Sequence, residues 1–240
     1  MTTSEIKRVR SLREKKFRDE YGLFVAEGEK LVAEALRSGW TVEQVWRREE
    51  IGEKAMERIS ALNSPSPVLA VVRKPLSAEP PLPASGLFLA LDGIRDPGNL
   101  GTILRCADWF GVGAVYASPD TVDVFNPKVV QATMGAIFRV PVYYTDIAVL
   151  CQRWPGPAYG TFLDGSDIYG QALETGRERP VLVITGSEAD GISPAVAAAV
   201  TDRLFLPPYP PDDPGSESLN AAVATALTLA EFRRRIFRDI

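Results

Sequence analysis

An asparagine and an arginine stand where an apolar strand gives way to a helix, in the segment LDGIRDPGNLGTILR at 91–105. Such turns hold polar groups in fixed positions, and α/β proteins commonly place their chemistry there. Arg105 lies off the apolar stripe of the predicted helix. That stripe consists of Leu100, Ile103, Leu104, Ala107 and Phe110. Asn99 follows Pro97 and Gly98, so the plainer alternative is that Asn99 is the N-cap of the helix.

A second polar turn follows another apolar run, in the segment TGSEADGISP at 185–194. Gly186 and Gly191 allow a flat ligand to approach the backbone closely. Glu188 between them fits a structural turn position as well as a functional one. The pattern Ser193-Pro194 is typical of the N-cap and first position of a helix. The segment is not the G-x-G-x-x-G fingerprint, which occurs nowhere else in the chain, so a nicotinamide or flavin site is disfavoured.

A third polar group lies near the C-terminus. Leu206 and Pro207 follow the last apolar run, and Ser218, Leu219 and Asn220 lie near the start of the last helical pattern. Ser218 and Asn220 are residue types that cap helices by accepting hydrogen bonds from free N–H groups, so a purely structural role remains open for both.

Histidine is absent from the whole chain. Its absence removes the commonest general base, the Ser-His-Asp and Cys-His arrangements and the usual zinc ligand sets. The two cysteines, Cys106 and Cys151, are far apart in sequence, which predicts ordinary buried or half-buried thiols rather than a disulfide framework or a metal site. A reaction at these turns must need little acid–base assistance, and we expect no metal.

Apolar runs alternate with helical patterns after residue 86, which is typical of a mainly parallel sheet flanked by helices. The predicted strands are 87–91, 114–117, 140–144, 158–163, 181–185 and 203–206, and the last helix is 217–237. A Pro-rich stretch at 77–86 predicts a semi-rigid linker. Before it lies a small α/β module, with helices predicted near 5–20, 29–38 and 50–62 and strands near 23–26, 42–46 and 68–72. The fold class is therefore α/β, with domains at 1–76 and 87–240.

Charge is distributed unevenly along the chain, although the net charge is −4. Residues 1–76 contain 15 Lys and Arg against 12 Asp and Glu, whereas residues 77–240 contain 12 against 19. Seven basic residues in the first 18 form a stripe suited to phosphates, or else a solvated helix face. They are Lys7, Arg8, Arg10, Arg13, Lys15, Lys16 and Arg18. Neither a signal sequence nor a membrane span is indicated, so we expect a cytoplasmic protein.

Taken together, the three segments resemble the motifs of the SpoU (TrmH-like) RNA ribose methyltransferases, which belong to the SPOUT superfamily. The resemblance rests on the order and spacing of DPGNLGTILR at 96–105, GSEADG at 186–191, LP at 206–207 and ESLN at 217–220. It covers essentially all of residues 87–240. A shorter, less specific match at 18–28 resembles the start of the small RNA-binding domain that many ribosomal-RNA members carry.

The resemblance implies an RNA 2′-O-methyltransferase that uses S-adenosylmethionine and acts as a homodimer. It also implies a C-terminal domain of the SPOUT fold with a deep trefoil knot, which periodicity alone does not predict. The family's catalytic positions match Arg105, Asn99, Glu188, Ser218 and Asn220. Its cofactor-binding positions match Thr185, Gly186, Leu206, Pro207, Ser218 and Leu219. RNA is expected to contact Arg105 and the basic residues of the N-terminal module.

Methyl transfer from a sulfonium to a ribose oxygen is an in-line displacement, so placing the reactants supplies much of the acceleration. The family assigns activation of the 2′-hydroxyl to its motif-one arginine, here Arg105, with Asn99 and Glu188 orienting it. Because a guanidinium keeps its proton above about pH 12, Arg105 can instead stabilise developing negative charge or bind the adjacent phosphate.

Ribosomal RNA is the expected substrate because of the N-terminal module. The alternatives are a transfer-RNA ribose methyltransferase and a non-catalytic RNA-binding or ribosome assembly factor of the same fold. A dinucleotide-dependent oxidoreductase is the least favoured alternative. One departure from the family is the Pro- and Asp-rich loop 208–216, which is longer than the usual link. We expect this loop to border the cofactor pocket and to affect cofactor affinity or access.

Overall fold

The first part of the chain folds as short helices packed on a three-stranded antiparallel sheet. The computed structural model describes residues 1–76, 79–210 and 215–238. Up to residue 76 the elements are α1 (Thr3–Ser11), α2 (Lys15–Tyr21), β1 (Leu23–Glu27), α3 (Glu29–Arg37), β2 (Val42–Arg47), α4 (Arg48–Ile51), α5 (Glu53–Ile59) and β3 (Val68–Arg73). The strand order is β1-β3-β2. Ile6, Val9 and Leu12 of the first helical segment are buried in one apolar cluster with Met56 and Ile59.

The rest of the chain forms a six-stranded parallel sheet with helices between the strands. Its elements are β4 (Gly86–Asp92), α6 (Pro97–Trp109), β5 (Val115–Ala117), α7 (Pro127–Thr133), a 3-10 turn (Ala136–Phe138), β6 (Val142–Tyr144), α8 (Ile147–Arg153), β7 (Ala158–Asp167), β8 (Pro180–Gly186), α9 (Pro194–Ala197), β9 (Asp202–Phe205) and α10 (Ala221–Arg238). The order is β6-β5-β4-β8-β7-β9, with parallel pairing throughout. The predicted α/β class and all six predicted strands are confirmed.

Residues 123–139 pack with the first 77 residues, although they lie in sequence between β5 and β6. We call these two segments the N-terminal unit, and residues 78–122 with 140–240 the C-terminal unit. Aromatic contacts join the segments: the ring centroids of Phe24 and Phe125 are 4.9 Å apart, and those of Trp40 and Phe138 are 5.3 Å apart. The predicted domains, 1–76 and 87–240 with a linker at 77–86, did not anticipate that residues 123–139 pack with the N-terminal segment. These boundaries stay a prediction.

Two helices predicted in the N-terminal unit are each split in two. The predicted helix at 5–20 is interrupted after α1, where Glu14 has extended backbone angles and becomes the N-cap of α2. The predicted helix at 50–62 is divided at Gly52, whose φ of +82° lies in the region that glycine adopts without strain. Helical periodicity continues across both breaks, which is why the pattern of apolar residues did not reveal them.

The second half of the predicted linker is anchored to the C-terminal unit. The Tyr116 hydroxyl donates a hydrogen bond to the Pro81 carbonyl at 2.8 Å, and Gly86 N donates to Gly176 O at 2.7 Å. Of the linker, residues 77 and 78 lie outside the described residues. Strand order does not by itself define a knot, so the trefoil knot stays a prediction of the resemblance. No helix in the described ranges is long and apolar enough to cross a membrane.

Candidate active site

The order of the parallel strands reverses between β4 and β8, which are hydrogen-bonded neighbours in the middle of the sheet. From β4 the chain adds β5 and β6 on one side, and it then adds β7 and β8 on the other. Open parallel sheets bind ligands outside the carboxyl ends of the strands at such a switch point. Asp92 at the end of β4 is paired with Gly186 at the end of β8, so the turns after these strands start side by side.

Asn99 lies in the first turn of α6, and its side chain is not used to cap that helix. The cap is Asp96, whose Oδ1 accepts a hydrogen bond from the Asn99 backbone N–H at 2.8 Å, with Pro97 as the first helical residue. The alternative that Asn99 is the N-cap is therefore wrong. The pair Asp96-Pro97 was the signal for the true cap, because proline is favoured at the first helical position.

The Asn99 carboxamide connects two other predicted catalytic residues. Its Nδ2 donates a hydrogen bond to Glu188 Oε1. Its Oδ1 accepts a hydrogen bond from Asn220 Nδ2 at 3.0 Å. The structure thus joins Asn99, Glu188 and Asn220 into one hydrogen-bonded group, which we call the polar trio. Three separate stretches of sequence contribute one residue each.

The turn that carries Glu188 is closed on itself. Ser187 and Gly191 exchange two backbone hydrogen bonds of 3.1 and 3.0 Å. A Cβ atom at Gly186 would lie 2.1 Å from the backbone carbon of Gly191, so this glycine is required for the chain to pack against itself. Just beyond the turn, the buried Asp92 carboxylate accepts a hydrogen bond from Ser193 N at 2.7 Å. Asp92 was not among the residues predicted from the sequence, although its position at a strand end was the available signal.

Asn220 has two roles, because it is also the N-cap of α10. Its Oδ1 accepts hydrogen bonds from the backbone N–H groups of Ala222 at 3.0 Å and Val223 at 3.3 Å. The predicted start of this helix at residue 217 is therefore too early. With the oxygen fixed by the cap, the amide nitrogen is aimed at Asn99. Capping and site assembly thus use opposite ends of one carboxamide.

Arg105 is exposed on α6, and its guanidinium forms no hydrogen bond or ion pair with another described residue. It is six residues beyond Asn99, a rise of about 9 Å along a helix. The predicted orientation of Arg105 by Asn99 and Glu188 is thus not seen within one chain. Burial raises the pKa of the neighbouring Cys106 thiol above its ordinary value, and the charge of Arg105 opposes that rise only partly. Cys106 therefore stays protonated near neutral pH and offers no thiolate nucleophile.

The predicted cofactor residues surround the same edge of the sheet. Thr185 is buried, and its hydroxyl is hydrogen-bonded to that of Thr225 in α10 at 3.1 Å. Its side chain therefore ties β8 to α10. Leu206 and Pro207 directly follow β9, and Ser218 and Leu219 lie exposed just before α10. Within the predicted loop 208–216, residues 211–214 lie outside the described residues.

The predicted RNA-binding residues of the N-terminal unit fall into two classes. Arg18 is only 2% exposed and is occupied inside the protein. Its guanidinium pairs with Asp123 Oδ2 at 2.6 Å and donates to the carbonyls of Leu12 and Arg13 at 2.9 and 2.8 Å. It therefore does not present its charge to a ligand, and we correct its assignment to a structural one. The other six are exposed: Lys7, Arg8, Arg10, Arg13, Lys15 and Lys16.

Partners inside the protein differ among these six residues. Arg8 is 3.4 Å from Glu43, and Lys15 is 2.6 Å from Asp19. Lys7, Arg10 and Lys16 form no ion pair with any residue that the structure describes. Exposed ion pairs contribute at most about 1 kcal/mol to stability, so even the paired cations can exchange a carboxylate for a phosphate. We call this group of six the basic face.

Comparison with known proteins places these features in a family. The chain matches the model of the SpoU rRNA Methylase family over residues 86–230, and that of an MRM3-like substrate binding domain over residues 3–77. It is 30% identical to the 23S rRNA (guanosine(2553)-2′-O)-methyltransferase RlmP of Bacillus subtilis, over 95% of this chain and 96% of that protein.

Solved structures give the same result. An AdoMet-bound rRNA methyltransferase from Sinorhizobium meliloti superposes with a TM-score of 0.87 at 30% identity, covering 98% of this chain and 96% of that one. A protein from Porphyromonas gingivalis, assigned to the TrmH family of RNA methyltransferases, superposes with a TM-score of 0.86 at 40% identity, covering 98% and 99%. The chain belongs to the SpoU rRNA methylase family.

Proposed function

We propose that this protein is a methyltransferase that transfers a methyl group from S-adenosylmethionine to a ribose 2′-hydroxyl of ribosomal RNA. The observation that carries the proposal is the polar trio at the switch point of the sheet. Its three residues come from three separate motifs and meet where a parallel sheet binds its ligand. The names of the relatives, all ribosomal RNA or RNA methyltransferases, support the same substrate class.

The residues around the trio fit S-adenosylmethionine. Ser218 and Leu219 form no hydrogen bond with another described residue, so their backbone groups remain open to a ligand. The exposed Leu219 side chain offers an apolar contact for an adenine ring. When bound, the cofactor supplies a methyl group on a positively charged sulfur. We assign its binding to Thr185, Gly186, Leu206, Pro207, Ser218 and Leu219.

The chain's own residues then have to place the ribose and accommodate charge. Asn99 and Asn220 are fixed by each other and by Glu188, so the trio presents hydrogen-bonding groups in set positions to the ribose. Ser218 lies two residues from Asn220 and borders the same place. A guanidinium is a poor base, so we assign Arg105 to stabilising the negative charge that develops on the ribose oxygen, or to holding the adjacent phosphate.

A homodimer through α6 and α10 is part of the proposal. These two helices pack together, and large apolar side chains remain on their outer surface: Trp109 is 85% exposed, and Val223 and Leu227 are also exposed. Exposed apolar side chains on a packed pair of helices are the basis for proposing an interaction surface here. Trp109 lies one turn beyond Arg105, so a second copy seated here brings Arg105 to the interface, where it is available to a site that lacks it within one chain.

The N-terminal unit serves, in this proposal, as the RNA-docking module. The basic face supplies charges that release counterions from phosphates regardless of base sequence, and the matching family model is that of a substrate binding domain. A cytoplasmic location is part of the proposal, and the ribosomal RNA methyltransferase relative from Bacillus subtilis supports it.

Methyl transfer with purified protein tests the proposal. Radiolabelled S-adenosylmethionine is incubated with total RNA from a strain that lacks the gene, and ribose methylation is mapped by resistance to alkaline cleavage. We expect label at the 2′-oxygen of ribosomal RNA, and the same site unmethylated in the deletion strain. Label in transfer RNA instead contradicts the substrate. Cofactor binding measured by calorimetry without transfer to any RNA contradicts the enzyme and favours an assembly factor.

A further inference from the structure

Arg95 lies beside the polar trio but is not part of it. It immediately precedes Asp96, the N-cap of α6. Its guanidinium is 3.5 Å from the Asp190 carboxylate and 4.0 Å from the Asp120 carboxylate. Asp190 belongs to the same closed turn as Glu188, so Arg95 bridges the two turns that carry Asn99 and Glu188.

Three turns converge at this point. A Cβ atom at Gly93, two residues before Arg95, would lie 3.2 Å from Asp120 Oδ2 and 3.8 Å from Ser187 Cβ. Ser118 accepts a hydrogen bond from Gly93 N at 2.8 Å and donates one to Asp120 at 2.6 Å. The turns after β4, β5 and β8 are therefore fixed relative to one another, and the base of the Arg95 side chain is fixed with them.

The ion pairs of Arg95 are weak, because their distances are long and both side chains are exposed to solvent. Charge-assisted hydrogen bonds are about 2.7–2.9 Å long, whereas these contacts are 3.5 and 4.0 Å. Arg95 is 67% exposed and Asp190 is 68% exposed, so water screens the attraction. Exchange of these carboxylates for another anion therefore costs little.

RNA approaching the trio meets several carboxylates at this edge, among them Asp120, Glu188 and Asp190. A phosphodiester brought there is repelled unless a cation accompanies it. Arg95 is placed among these carboxylates, and its planar fork of donors matches phosphate oxygens in a bidentate arrangement.

We propose that Arg95 is an RNA phosphate-binding residue at the methylation site, and that Asp120 and Asp190 hold its guanidinium in position until a phosphodiester of the substrate replaces them. This inference rests on the proposed function and adds a substrate contact to it. Arg95 was not among the residues predicted from the sequence. Its contribution is to dock the nucleotides around the target ribose, separately from the basic face.

The full-length protein tests the inference through the salt dependence of binding. Filter binding to ribosomal RNA from the deletion strain is measured at several salt concentrations for wild type, Arg95→Gln and Arg179→Gln. Arg179 is a matched control, because it is an exposed arginine paired with Glu174 and directly precedes β8, whereas the turn that carries Asp190 follows β8. We expect Arg95→Gln to weaken binding and to reduce the slope of log K against log salt by about 0.7 to 0.9, the loss of one phosphate contact. Arg179→Gln leaves the slope unchanged.

Asp190→Asn distinguishes a phosphate contact from a structural bridge by the sign of its effect. If Arg95 binds phosphate, removal of its competitor tightens RNA binding, opposite to Arg95→Gln. If the pair only holds the two turns together, both variants weaken RNA and S-adenosylmethionine binding alike, and the inference is overturned. It is also overturned if Arg95→Gln binds RNA with the wild-type slope while wild-type protein methylates RNA. Absence of methyl transfer by wild type contradicts the proposed function instead.

Discussion

The basic face of the N-terminal unit and the polar trio of the C-terminal unit are built in opposite ways. The basic face consists of exposed cations that lie close together in sequence; Lys7, Arg10 and Lys16 form no ion pair with a described residue, and Arg13 donates to the Ser60 carbonyl. The trio consists of two neutral amides and one carboxylate that are hydrogen-bonded to one another, although 121 residues separate Asn99 from Asn220. The first arrangement supplies attraction to a polyanion, and the second supplies fixed positions.

Arg18 shows what separates these two kinds of site. By composition it belongs with the basic face, yet its guanidinium is buried and holds residues far apart in sequence, as the trio does. Attraction of RNA by the basic face depends on exposed charge, so replacing one cation by another should cost little RNA affinity. The fixed positions of the trio depend on specific hydrogen-bond partners, so removing one residue leaves polar groups of the other two without a partner. The predictions below test this difference, from the largest expected effect to the smallest.

Arg18→Met is expected to destabilise the protein by about 3–5 kcal/mol, because it leaves the Asp123 carboxylate largely buried without its partner. Urea unfolding followed by circular dichroism measures the loss. Lys16→Met is the matched control, since Lys16 is exposed on the same helix and is expected to change stability by less than about 0.5 kcal/mol. Equal effects of the two substitutions contradict the structural assignment of Arg18.

Arg105→Ala is expected to lower kcat by about 10²- to 10³-fold, the range for removing one group that stabilises transition-state charge. Single-turnover methylation with saturating RNA measures the chemical step. Arg153→Ala serves as control, because Arg153 is an exposed arginine of the same unit at the end of α8. Arg105→Lys should retain more activity than Arg105→Ala, since a positive charge is preserved. Activity of Arg105→Ala within about threefold of wild type contradicts the electrostatic role.

The combined variant Lys7→Gln, Arg10→Gln and Lys16→Gln should weaken RNA binding in a salt-dependent way. Loss of three phosphate contacts reduces the slope of log K against log salt by about 2.1 to 2.7. The factor by which affinity falls between about 50 and 200 mM salt is therefore about 20- to 40-fold smaller than for wild type. Filter binding measures this slope, and calorimetry should show unchanged S-adenosylmethionine affinity. An equal loss of cofactor affinity contradicts a separate docking role for the basic face.

Sequence patterns predicted the sheet well because its strands are short apolar runs, and the central strands β4 and β8 are buried along most of their length. They did not predict that residues 123–139 pack with the N-terminal unit, because contacts such as Phe24 with Phe125 depend on tertiary structure rather than on periodicity. The breaks at Glu14 and Gly52 were missed because the helical spacing of apolar residues continues in the sequence across each of them.

The site residues were likewise predicted only in part. The resemblance to the SpoU methyltransferases selected Asn99, Glu188 and Asn220 together, and their hydrogen bonds are consistent with a common role. Burial was not readable from the sequence, so Arg18 was grouped with its exposed neighbours. Side-chain direction was not readable either: Arg105 and Asn99 share a helix, yet only Asn99 joins the trio. Ion pairs across turns, such as that of Arg95 with Asp190, leave no local pattern at all.

Asn220 allows the two functions of one side chain to be separated. Asn220→Ala removes the cap of α10 and the donor to Asn99, so it should cost about 1 kcal/mol of stability and also lower activity. Asn220→Ser keeps an oxygen that can cap the helix but loses the amide donor, so stability should approach wild type while activity stays low. Asp146→Ala removes the cap of α8, where Asp146 accepts from Val149 N at 3.0 Å, without touching the trio.

Urea unfolding and initial methylation rates, normalised to folded protein, distinguish these three variants. Asp146→Ala should lose about as much stability as Asn220→Ala and retain wild-type activity. If Asn220→Ser is both as stable and as active as wild type, the hydrogen bond to Asn99 does not position the trio and Asn220 acts only as a cap. If Asn220→Ser is stable but slow, Asn220 contributes to activity by holding Asn99 in a fixed position and not by stabilising the helix. A single amide group then cannot be exchanged without loss of activity, unlike the cations of the basic face.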